Sequence, residues 1–152
     1  PSKMIEDIVG ESNVEAQVVD GQAIEVVRAA DAALVCSGTS TLQTALLARP
    51  MVVVYRVSWL TYAILKRLVN VAHIALVNLI AGRRLVPELI QESFTPTRIE
   101  QELLPMLNDQ ALRSELTQAF DNLRSDLGKG AVSARVVDAL GEYLTPSGDD
   151  HV

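Results

Sequence analysis

The 152 residues are 49% hydrophobic, 21% charged and 4% aromatic, with a net charge of −6. That much apolar material excludes wholesale disorder, and the acidic balance argues against a nucleic-acid-binding surface. One cysteine excludes an internal disulfide or a zinc knuckle, and two histidines exclude a His-rich metal site.

The opening Pro1-Ser2-Lys3-Met4-Ile5-Glu6 lacks the basic start and apolar run of a signal peptide. It also lacks an initiator Met, so a fragment or a processed chain is expected. Val14–Val19 reads as a strand ended by Asp20-Gly21, and Ile24–Ala30 as a helix. Ala32–Cys36 is a short apolar run stopped by Ser37-Gly38. Thr41–Ala48 reads as a helix ended by Pro50, and Met51–Tyr55 as another unbroken apolar run. Trp59–Leu68 reads as a helix and Ile74–Val77 as a fourth strand. Val71–Ile80 is the longest strongly apolar stretch and is too short to span a bilayer. Strands that are continuously apolar, alternating with helices, favour a parallel sheet covered on both faces.

The pattern changes near residue 95. Thr95-Pro96-Thr97 is a helix start, and Ile99, Leu103 and Leu107 recur every four residues. Pro105 marks the end of that helix or a kink. Leu112, Leu116, Phe120, Leu123 and Leu127 make a second amphipathic helix, closed by Gly128-Lys129-Gly130. Residues 132–144 make a third, and 145–152 a frayed tail. The expected organisation is an α/β unit over 1–95 with a partial Rossmann-like parallel sheet, then amphipathic helices over 96–144.

Three groups stand where chemistry is possible. Ser37-Gly38-Thr39-Ser40-Thr41 lies between a buried strand and a helix, where open parallel sheets bind ligands. The helix start offers unpaired N–H groups to an anion, and Gly38 permits close approach. An ordinary Ser/Thr N-cap is the competing reading. The Gly-Lys-Ser/Thr ending of a P-loop is absent. The second group is Asn78, Arg83, Glu88 and Gln91. If Pro87 starts a helix, Glu88 and Gln91 share a face and the four converge on a sugar or ribose. Otherwise they line a solvated loop and a polar helix face. The third is Tyr55–Arg67, where the only Trp, two of three Tyr and three cations fall within thirteen positions. That mixture suits a membrane interface or an acidic head group; packed aromatics with solvated cations explain it equally. Cys36 reads as a small buried hydrophobe and suits a reducing compartment. His73 reads as a structural hydrogen-bonding group, with a general-base role the alternative.

Ala30–Leu42, Arg49–Arg56, Leu65–Val69 and above all Asn78-Leu79-Ile80-Ala81-Gly82-Arg83 with Pro87-Glu88-Leu89-Ile90-Gln91 resemble the lipid-A-disaccharide synthase family. The likeness runs from about residue 14 to about residue 144. It implies a metal-independent, cofactor-free bacterial glycosyltransferase of the two-Rossmann GT-B type. It implies transfer from UDP-2,3-diacylglucosamine to 2,3-diacylglucosamine 1-phosphate, giving a β-1,6-linked disaccharide 1-phosphate and UDP. It also implies residence at the cytoplasmic face of the inner membrane, contact with the membrane surface, and a homodimer through the C-terminal helices.

On this likeness Ser37, Gly38, Thr39 and Ser40 become the diphosphate seat and Gln43 the ribose contact. Arg56, Asn78, Gly82, Glu88 and Gln91 become further donor-site residues. Family members are considerably longer, so the chain looks like the last part of such an enzyme, and its catalytic groups are expected outside it. Gln43, seven residues before Pro50, stands where relatives usually carry Glu. Two alternatives stay open: another GT-B nucleotide-sugar enzyme such as a UDP-sugar 2-epimerase, and a non-catalytic binding or interaction fragment. The apolar helical stripe of residues 112–127 predicts self-association of the isolated chain, unless the stripe folds back on its own sheet.

Overall fold

A computed structural model gives the architecture and describes residues 2–58 and 73–128. In chain order the elements are α1 (Ser2–Glu11), α2 (Ala23–Ala29), β1 (Ala33–Cys36), α3 (Thr39–Leu46) and β2 (Met51–Tyr55). They continue with α4 (Leu76–Ala81), β3 (Glu88–Ile90), a 3-10 turn (Gln91–Ser93), α5 (Pro96–Asn108) and α6 (Gln110–Gly128). The expected helices over 59–68 and 132–144 and the tail lie outside the described residues.

The three strands form one parallel sheet in the order β1-β2-β3. This is a mixed α/β fold, consistent with a partial Rossmann-like sheet. β2 is the central strand: Pro50 precedes it, and Met51 to Val54 are all buried. β-Branched residues suit a pleated strand, and burial on both faces explains the unbroken apolar run. α3 and α5 pack against β2, and α6 packs against α3 and α5. Val35, Met51, Val53, Val77, Leu89, Met106, Leu116 and Phe120 therefore share one core.

Three expected elements differ. Val14–Val19 is not a strand: its residues are exposed apart from the half-buried Val18, and no neighbouring strand pairs with it. Ile74–Val77 is not a strand either, because the chain turns into α4 at Leu76. Pro87 does not start a helix; it precedes β3, and its carbonyl accepts from Val53 N–H at 2.9 Å. Proline has no N–H to leave unpaired, which suits the threshold of a strand as well as that of a helix.

The second half follows its sequence signals closely. Thr95 caps α5, its hydroxyl accepting from Arg98 N–H, and Pro96 sits at the first turn. Pro105 lies inside α5, which runs on to Asn108. Asp109 begins α6, its carboxylate accepting from the N–H groups of Ala111 and Leu112 at 2.8 and 3.1 Å. The α6 stripe is not an exposed surface. Leu116, Phe120 and Leu123 are buried, with Leu112 and Leu127 half-buried beside them. The stripe has found its partner within the chain.

Candidate donor site at the carboxyl edge of the sheet

β1 ends at Cys36, and Ser37 N–H still pairs with Val54 C=O at 3.0 Å. The chain then turns through Gly38 into α3. Gly38 has φ 155° and ψ −163°, a region populated almost only by glycine. A Cβ there would meet no atom within 4 Å, so conformation, not crowding, selects glycine.

The hydroxyls of this turn do not cap the helix. Gly38 is the N-cap, and no side chain accepts from the first amides. Instead Thr41 Oγ1 donates to Gly38 C=O at 2.8 Å, Ser40 Oγ to Cys36 C=O at 3.0 Å, and Thr44 Oγ1 to Ser40 C=O at 2.8 Å. Thr41 and Thr44 are buried, whereas Thr39 and Ser40 are exposed. The serine and threonine side chains thus stitch the turn together from its carbonyl side. Thr41 N–H already donates to Gly38 C=O at 3.2 Å, so the N–H groups of Thr39 and Ser40 are the ones left facing outward, at the positive end of the helix dipole. Gln43 is exposed, one turn into α3.

The Asn78–Gln91 block folds into a clamp. Asn78 is fully buried on α4. Its Oδ1 accepts from Leu85 N–H and Val86 N–H at 2.8 and 3.0 Å; its Nδ2 donates to Val86 C=O at 2.9 Å and Glu88 Oε1 at 2.7 Å. All of its amide capacity is used. Gly82 ends α4 in the left-handed conformation, with φ 64°. Glu88, on β3, also accepts from Ile74 N–H at 2.9 Å and Ala75 N–H at 3.1 Å. His73 Nδ1 stands 3.9 Å from the same carboxylate. The backbone bonds to Glu88 begin α4 and explain why the apolar run at residue 74 becomes helix.

Gln91 follows β3 with a positive φ of 52°. Its buried side chain grips both backbone groups of one residue: Oε1 accepts from Val57 N–H at 2.8 Å, and Nε2 donates to Val57 C=O at 3.1 Å. Ser93 Oγ closes the corner, accepting from Ile90 N–H and donating to Ile90 C=O, each at 2.7 Å. Arg56 donates to Phe94 C=O at 3.0 Å and lies over the Phe94 ring at 5.1 Å.

Glu88 and Gln91 therefore share no helix face, and they do not converge with Arg83 as a four-residue group. They fasten separate loops at the carboxyl edge, where Ser37 Oγ reaches Ile74 C=O at 3.4 Å. Cys36 is exposed, not buried as its strand context suggests; among the described residues β1 pairs with β2 alone. A cleft of about 550 Å³ lies at the opposite edge, before β1 and β2, lined by Asp31, Arg49, Pro50, Arg113, Thr117 and Asp121. Its charges balance. Among the described residues, no cluster of His, Cys, Asp and Glu is arranged to hold a metal, and no helix is long and apolar enough to cross a membrane.

Fold and turn together define a Rossmann-like α/β unit with an open helix N-terminus at its carboxyl edge. The family model described as "Lipid-A-disaccharide synthetase" matches residues 2–135, and the chain belongs to that family. It is similar to the lipid-A-disaccharide synthase of Anaeromyxobacter dehalogenans (strain 2CP-C), 48% identical over 127 residues, covering 84% of this chain and 33% of the relative. The synthase of Myxococcus xanthus (strain DK1622) is 44% identical over 135 residues, covering 89% and 35%. That of Pseudomonas paraeruginosa (strain DSM 24068 / PA7) is 48% identical over 118 residues, covering 77% and 31%. The chain spans about a third of the length of the curated relatives it matches.

Proposed function

We propose that this chain is the donor-binding part of a hexosyltransferase of lipid A biosynthesis. The whole enzyme transfers 2,3-diacylglucosamine from UDP-2,3-diacylglucosamine to 2,3-diacylglucosamine 1-phosphate. The observation that carries the reading is the uncapped start of α3 behind Gly38. Its N–H groups and dipole suit a diphosphate. The bond that breaks joins the anomeric carbon to that diphosphate, so negative charge grows on UDP as it leaves. An open helix N-terminus stabilises such charge.

In this proposal Ser37, Gly38, Thr39 and Ser40 seat the diphosphate, and Gln43 accepts from the ribose hydroxyls. Arg56, Asn78, Gly82, Glu88 and Gln91 frame the same edge of the site by holding its loops. Residues 1–95 are the donor-binding unit and 96–144 the C-terminal helical segment, of which α5 and α6 brace the sheet; 145–152 are the tail. The acceptor-binding and proton-accepting groups belong to a portion of the enzyme other than these residues. The aromatic and basic sequence of 55–67 is the candidate contact for the membrane surface or an acyl chain at the cytoplasmic side of the inner membrane. A homodimer through the C-terminal helices would use the exposed Leu104 and Leu107 of α5, since the α6 stripe is already covered.

Calorimetry with UDP and an assay of UDP release with both lipid substrates test this together. The chain is expected to bind UDP without turnover, and Gln43→Glu to bind it equally or more tightly, since a carboxylate is the stronger acceptor. Unchanged UDP affinity after Gly38→Val would remove the diphosphate assignment. Robust turnover by the 152-residue chain would remove the claim that further groups are needed.

A further inference from the structure

We propose that Glu88 is a positioning residue for the diphosphate seat and acts on it through Ser37. The inference rests on the donor reading above. Two backbone turns meet at the carboxyl edge: the turn after β1, carrying Ser37, and the turn at residues 73–75. They are joined by the Ser37 hydroxyl, which donates to Ile74 C=O at 3.4 Å. That distance is long for an O–H···O bond, so the same O–H can be shared, keeping Ile74 C=O as one acceptor while a phosphate oxygen takes the other share.

The direction in which the Ile74 carbonyl points is set elsewhere. Glu88 Oε2 takes Ile74 N–H at 2.9 Å and Oε1 takes Ala75 N–H at 3.1 Å. The carboxylate is itself held by Asn78 Nδ2 at 2.7 Å, and Asn78 is locked by its three other bonds to Val86 and Leu85. Both amides of the turn are bound by one anchored group, so the peptide planes of 73–75 cannot rotate independently. The Glu88 side chain is only 10% exposed, which keeps water from substituting for it. Glu88 lies at the start of β3 and does not reach the α3 start itself; its influence passes through the Ile74 peptide to the Ser37 side chain.

A residue that merely stabilises the fold would lower UDP affinity independently of Ser37. A residue that positions Ser37 loses its effect once that hydroxyl is gone. The test is an amide-resolved NMR titration of the whole chain with UDP. It compares the unaltered protein, Ser37→Ala, Glu88→Gln and the double variant. Each single change is expected to weaken UDP about three- to tenfold, the range of one hydrogen bond. The double variant is expected to be no weaker than the weaker single variant. Losses that multiply in the double variant, or a Glu88→Gln affinity equal to the unaltered one, overturn the role of Glu88. Should Glu88→Gln lose its dispersed spectrum, Glu88→Asp carries the same cycle with the same two outcomes. It keeps the charge but draws it back by one methylene. An unaltered chain whose residue 38–41 amides ignore UDP overturns the donor reading instead.

Discussion

At position 38 an alanine would need no extra room, yet it would have to adopt φ 155°, ψ −163°. Holding a residue with a Cβ in that region costs about 1–3 kcal/mol. Gly38→Ala is therefore expected to lower unfolding free energy by about that amount, read by urea denaturation, with the chain still folding. An unchanged midpoint would show that the turn relaxes without cost. The same residue scale separates what was readable in advance from what was not. Ser37-Gly38-Thr39-Ser40-Thr41 stands out locally, as a strand stop followed by a helix start. What its hydroxyls do does not: they donate backwards to carbonyls, leaving the amides of Thr39 and Ser40 open. Family likeness and a helix start at Pro87 group Asn78, Glu88 and Gln91 on sequence grounds. Their actual partners, Val86, Ile74 and Val57, come from other loops, and no spacing rule encodes them.

Among the elements, β2 was readable to the residue, because Pro50 and a continuous Met-Val-Val-Val-Tyr run bound it on sequence grounds. α5 was readable from its Thr-Pro start. Ile74–Val77 was not, since a short buried apolar run fits a strand or a helix segment equally. The arbiter was a distant carboxylate, that of Glu88, taking the two amides that begin α4. Val14–Val19 has strand-like composition but, among the described residues, no partner strand, and an unpaired ladder has nothing to hold it. On α6 the decisive residue is Phe120, which is 1% exposed in the core shared with β2. Phe120→Ala is expected to cost about 3–5 kcal/mol, through lost burial and the cavity left behind. Thermal unfolding would measure it. A loss well under 1 kcal/mol would mean that α6 stands away from the sheet.

For the molecule as a whole, the burial of that stripe changes what self-association means. Oligomers, if formed, have to use surface that remains apolar, such as Leu104 and Leu107, which are 44% and 39% exposed. Light scattering after size exclusion should then respond to Leu104→Lys with Leu107→Lys and leave the unfolding midpoint unaltered. A dimer that survives this pair would place the contact elsewhere.

The exposure of Cys36 at the end of β1 has a practical consequence. Cys36 is the sole cysteine of the chain, is exposed, and immediately precedes Ser37. Its carbonyl holds the Ser40 hydroxyl at 3.0 Å, so the residue itself belongs to the turn assigned to the diphosphate. Nature has left one addressable sulfur per molecule, beside the seat and away from the α6 core. A thiol reagent should consume one equivalent from the native protein, without denaturant, and UDP should slow that reaction in proportion to occupancy. A fluorophore attached there would report nucleotide binding without any engineered mutation. A thiol that reacts only after unfolding would contradict its exposure, and one indifferent to saturating UDP would set the nucleotide away from the end of β1.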